Sequence, residues 1–95
     1  MENFDSIWDN MTNSYNQLEQ IMSAVYQQTQ SNPTDENSQN LLQGLGDVAK
    51  SMIFSQREFT TAYCDPSMKD VLVSKLDEKK ESLEKALGES KGKTM

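Results

Sequence analysis

The chain reads as all-α: an antiparallel helical hairpin or three-helix bundle with a coiled-coil-like seam. Apolar residues recur at alternating spacings of four and three over long stretches, the mark of an amphipathic helix. Two prolines, Pro33 and Pro66, sit in short polar breaks that divide the chain into three segments. Long amphipathic segments joined by short polar connections turn back on one another as helical hairpins.

The first segment predicts a helix over residues 3–30. Phe4, Trp8, Met11, Tyr15, Leu18, Met22 and Val25 form an unbroken heptad pattern, and Ile7, Ile21 and Tyr26 widen it. No proline or glycine interrupts. Asn3 suits the N-cap, and Asp5 and Asp9 suit the positive end of the helix dipole. Such a helix is about 42 Å long at 1.5 Å per residue. Its seam of methionines and aromatics fits a neighbour of irregular profile better than the Ile/Leu partner of a tight zipper.

The break Ser31–Asp35 biases Asn32 away from helical geometry, and Pro33 suits the first position of a new helix. The second helix is expected over residues 34–63. Leu41, Leu45, Val48, Met52, Phe59 and Ala62 keep the 4-3 spacing, with Ser55 filling one position. Leu42, Ala49, Ile53 and Tyr63 add a flank, so this helix has the wider apolar face of an element with two neighbours. Gly44 and Gly46 weaken it by about 1 kcal/mol each relative to alanine, and the pattern favours one continuous helix.

Pro66 ends that helix, and Ser67 with Asp70 resembles a capping box. The third helix is expected over residues 67–87, with Met68, Leu72, Leu76, Leu83 and Leu87 on one side and Lys79 and Lys80 interrupting. Gly88 suits the C-cap. Residues 1–88 then form a single helical domain, and residues 89–95 a frayed tail.

Composition narrows the function classes. Hydrophobic residues make up 35% of the ninety-five, and 15 Asn+Gln with 11 Ser bring the chain close to disordered compositions. Its order therefore rests on where the few apolar residues stand. The net charge is −6, unevenly spread. Residues 1–66 carry nine acidic and two basic side chains; residues 67–95 carry six and seven. This argues against a phosphate-backbone binder and against an interfacial membrane helix, because the first helix has no Lys or Arg. No apolar run is long enough to span a bilayer and no secretory leader is visible, so the expected location is cytoplasmic, with leaderless secretion as the alternative.

The chemistry of sites is equally thin. With no histidine in the chain, a serine or Cys64 nucleophile lacks its usual base. Gly44-Leu45-Gly46 with Ala49 mimics a dinucleotide fingerprint but follows no strand. Asp35–Gln39 begins like a calcium loop, yet Asn40 and Gly46 stand where glycine and glutamate are required. Asn10-Met11-Thr12 is a glycosylation sequon in mid-helix. No enzyme activity, cofactor or metal is expected.

The stretch from Tyr15 to Glu58, with Asn32-Pro33-Thr34-Asp35 at its turn, resembles the helical hairpin of type III secretion needle subunits. The resemblance implies a self-assembling secretion-apparatus subunit. Glu36 replaces that family's second turn proline, and a third helix follows where needle subunits end. Leu45-Gly46-Asp47-Val48, Met52 and Asp65-Pro66 are similar to part of the membrane-curving BAR domains, whose greater length and basic concave face this chain lacks. The Trp-x-Gly turn of small secreted hairpins is absent, since Asp9-Asn10 follows Trp8.

The expectation is a helical interaction or assembly subunit that binds a protein partner or itself. Its candidate contact residues are Trp8, Met11, Tyr15, Leu18 and Met22 on the first helix, and Met52, Ile53, Phe54 and Phe59 on the second. Phe54 falls between the apolar flanks and is the expected exposed aromatic. An alternative from the charge is a small acidic, immunity-type inhibitor of a basic target.

Overall fold

The computed structural model describes the backbone of residues 3–92 and the side chains of residues 3–88. Helix α1 runs Phe4–Ser31, α2 Glu36–Tyr63 and α3 Pro66–Gly92, with no strand among the described residues. The fold is all-α. Helix α2 packs against both neighbours, whereas the backbones of α1 and α3 stay apart. The three helices form an opened bundle of 48 × 24 × 14 Å.

The helix ends depart from the sequence expectation in instructive ways. Asn3 stands at the N-cap but adopts the left-handed conformation (φ 67°) and makes no side-chain cap bond. Capping needs an extended residue whose side chain folds back over the first turn. Instead, the Asn3 carbonyl accepts the Ile7 N–H at 3.0 Å. Pro33 does not open α2. Asp35 is its N-cap, and its Oδ1 accepts from the N–H groups of Asn37 and Ser38 at 3.1 and 3.3 Å. Thr34 Oγ1 donates to Asn32 Oδ1, and the Gln39 amide donates to the Pro33 carbonyl across the turn.

The Ser67–Asp70 capping box is not formed. Asp65 takes that role: its Oδ1 accepts from both the N–H and the hydroxyl of Ser67 at 2.9 Å. Its carbonyl accepts from Met68 and Lys69. Pro66 is therefore the first residue of α3, where its missing N–H has no intrahelical partner to lose. Nor does Gly88 end α3, which runs on to Gly92. No glycine among the described residues has a positive φ, so Gly88 does not adopt a left-handed C-cap. Residues 89–92 of the expected tail are helical; residues 93–95 lie outside the described residues.

Helix α2 is continuous through Gly44 and Gly46, and the two glycines differ. Nothing lies within 4 Å of where a Cβ on Gly44 would stand. A Cβ on Gly46 would come within 2.6 Å of Leu87 Cδ1, so a side chain there would push the end of Leu87 on α3 aside.

The core joins all three helices. Tyr15 and Met22 from α1, Leu42, Ala49 and Ile53 from α2, and Leu76 and Leu83 from α3 are its buried members. Full burial of a leucine or isoleucine side chain contributes about 2 kcal/mol. On α2 the inward line is Leu42, Ala49 and Ile53, the expected flank, whereas Leu41, Val48, Ala62 and Tyr63 are exposed. Small residues decide the rotation. A helix touching two neighbours turns inward the face on which Ala49, fully buried, and Gly46 allow close approach. On α3, Met68 is exposed while Leu76 and Leu83 are buried.

Candidate interaction surfaces

The nine candidate contact residues divide into three groups. Tyr15, Met22, Ile53 and Phe59 are buried within the chain. Trp8, Met11, Leu18 and Met52 are half-buried along the edges of the core. Phe54 stands out at 63% exposed. The structure therefore brings Tyr15, Met22 and Ile53 together as core, and of the nine leaves Phe54 exposed.

At the open end of the α1–α2 hairpin the aromatics stack. Phe4 lies nearly parallel to Phe59 with ring centroids 4.9 Å apart, and Trp8 and Tyr63 extend the array at 6.2 and 5.5 Å. A cavity of about 450 Å³ opens beside it, lined by Phe4, Trp8, Tyr63, Cys64, Met68 and Leu72 among others. Cys64 is a free thiol, buried behind this array.

One polar group crosses the hairpin. Gln56 is buried, and its amide donates to Thr12 Oγ1 at 2.9 Å and to the Trp8 carbonyl at 3.3 Å. Thr60, also buried, returns its hydroxyl to the Gln56 carbonyl at 2.7 Å. These bonds satisfy the buried polar groups and lock the register of α2 on α1.

Two further surfaces bear on binding. The first is the groove between α1 and α3, about 770 Å³, floored by Met22, Leu42 and Leu83 and rimmed by Glu19, Lys75, Glu78 and Lys79. Lys79 spans one end, its Nζ 4.5 Å from the centroid of the Tyr15 ring. So the lysine that breaks the apolar stripe of α3 is used in a cation–π contact. Burial raises the Tyr15 hydroxyl above its ordinary pKa, and the charge of Glu19 adds to the rise.

The second surface is the outer seam of α1 and α2, on the side away from α3. A shallow cavity of about 380 Å³ gathers Ile7, Met11, Ser14, Val48, Met52 and Ser55 with Asn10 and Ser51. None of these side chains is ionisable. Residues 7, 14 and 21 share one face of α1, and 41, 48 and 55 share one face of α2, because each set recurs every seven positions. Ile7 and Ser14 line that cavity together with Val48 and Ser55, and Ile21 and Leu41 are the next members of the two series toward the turn. Ile21, Leu41 and Val48 are each at least half exposed. The candidate list omitted these six. Their signal was present as two heptad series, but it overlapped the core series one residue away.

The other features are few. Arg57 Nε meets Asp77 Oδ1 at 3.1 Å on the exposed side of α2 and α3, a pair that adds little stability. Asp65 is held below the ordinary carboxylate range by its hydrogen bonds from Ser67. Among the described residues, no three Cys, Asp or Glu side chains converge on a metal site, and no helix is long and apolar enough to cross a membrane. Comparison of the chain with protein-family models, curated proteins and solved structures finds no match.

Proposed function

We propose that this chain is a non-enzymatic interaction or assembly subunit that works through amphipathic helix faces, binding a protein partner or itself. The observation that carries the reading is the outer α1–α2 seam. Ile21, Leu41 and Val48 expose large apolar surface there, beside a cavity with no ionisable lining. The core of the three helices is complete without them. Large apolar side chains exposed on one face and not used by the core suit a contact site. The buried Cys64 suits the reducing cytoplasm that belongs to this reading.

The test is the Leu41→Ser/Val48→Ser variant. In dilute solution it keeps the helix content of the parent and loses less than about 1 kcal/mol of stability, as exposed substitutions do. Its association, with itself or with a partner, falls. A variant that unfolds would make the seam part of the core. A folded variant that associates as the parent does would make the seam inert. Either result overturns the reading.

A further inference from the structure

Resting on the interaction reading above, we infer that the occupant of the outer α1–α2 seam is a second copy of this chain, related by a two-fold axis running along the groove between the two helices. Three observations bear on the inference.

The seam is complementary to itself. Ile7 and Ser14 of α1 share the seam cavity with Val48 and Ser55 of α2, and the antiparallel course of the two helices sets Ile7 toward Ser55 and Ser14 toward Val48. A half-turn about the groove places α1 of each copy over α2 of the other, level by level. Val48 then faces the small Ser14 of its partner, and Ile7 faces the small Ser55. Ile21 and Leu41 close the apolar end. Self-complementarity of this kind is what a two-fold interface demands. The four helices so formed have antiparallel neighbours throughout, the arrangement of an up-down four-helix bundle.

Charge does not block this occupant at the seam itself: each copy carries −6, but no ionisable side chain lines the seam cavity. Repulsion between the acidic groups elsewhere on the two copies is screened by salt. The groove between α1 and α3, by contrast, is rimmed by charges of both signs.

The area is sufficient for a reversible dimer. From residue 7 to residue 21 the seam runs about 21 Å, and two helices make it about 20 Å wide. Docking then buries on the order of 400 Å² on each copy, about 800 Å² in all, which suits a weak, reversible pair rather than a permanent one.

The experiment is molar mass by light scattering over a tenfold concentration range, for the parent, Val48→Glu, Ile21→Glu and the groove control Ala86→Glu. Helix content by circular dichroism confirms that each variant is folded, and the two seam variants stand on different helices so that either suffices. The parent is expected to pass from monomer to dimer. Val48→Glu should weaken the dimer at least about 100-fold, as loss of a central apolar contact does, and Ile21→Glu, at the end of the seam, at least about 10-fold. Ala86→Glu should dimerise like the parent. A dimer lost in Ala86→Glu but kept in the seam variants would overturn the inference while leaving assembly in place through the other groove. A mass that climbs past the dimer would overturn the two-fold arrangement. A parent that stays monomeric throughout would overturn self-association, leaving the seam for a foreign helix.

Discussion

Gln56 and Tyr15 are the two polar side chains on which the inner surfaces turn. Gln56 spends its amide on Thr12 and on the Trp8 backbone, 44 and 48 positions away in sequence. Gln56→Ala removes this bridge, leaves the Thr12 hydroxyl without its donor and opens a void, so it should cost about 2 kcal/mol by urea denaturation. A loss below about 0.5 kcal/mol would mean that the bridge does not hold the hairpin in register. Tyr15 gives a pH signature. Its proton is held more tightly in the folded chain than in the unfolded one, whose tyrosine titrates near the ordinary 10.0. The associated stability is complete below that value and is lost as pH rises through the higher folded value. Tyr15→Phe keeps the ring under Lys79 but has no proton to lose. Between about pH 9 and about pH 11 its urea midpoint should fall less than that of the parent. Equal falls would contradict the account. Neither role was legible in the sequence. Hydropathy counts Gln56 as a polar interruption, and only the folded hairpin shows that two polar groups wait for it on α1.

At the scale of the helix, small residues explain both what the sequence revealed and what it concealed. The existence, order and approximate limits of the three helices were plain from periodicity and from the two prolines. The rotation of α2 was not. Leu41-Val48 and Leu42-Ala49 are rows of similar hydropathy, and volume rather than hydropathy decides which one turns inward. Ala49 and Gly46 allow close approach, so the second row is core and the first faces out. The caps were misread for a similar reason. Several Ser, Asn and Asp residues stand near each helix start, and only the backbone geometry selects Asp35 and Asp65. The glycines of α2 provide the test at this scale. Gly44→Ala meets open space and should stabilise the chain by about 0.5–1 kcal/mol through helix propensity. Gly46→Ala gains the same propensity but forces Leu87 aside, so thermal melting should place it below Gly44→Ala. Equal gains at the two positions would show that α3 does not press on α2 at Gly46.

For the whole molecule, three helices arranged with α2 in the middle leave open both the groove between α1 and α3 and the outer α1–α2 seam. The outer seam carries the interaction reading because it is apolar, uncharged and unnecessary to the core. The uneven charge of the chain sets the conditions under which such a face works. Two copies of −6 repel at low ionic strength, and added salt removes the repulsion without weakening apolar burial. An acidic inhibitor that finds its target by charge behaves in the opposite way, losing association rate as salt rises. The most direct measurement is therefore the molar mass of the unaltered chain by light scattering, over a tenfold concentration range at about 0.05 M and about 0.5 M salt, where the screening lengths differ several-fold. The account predicts a mass that rises from the monomer's 10.8 kDa toward twice that value with concentration, and does so sooner at the higher salt. A mass of 10.8 kDa under every condition, or association that weakens as salt is added, would contradict it.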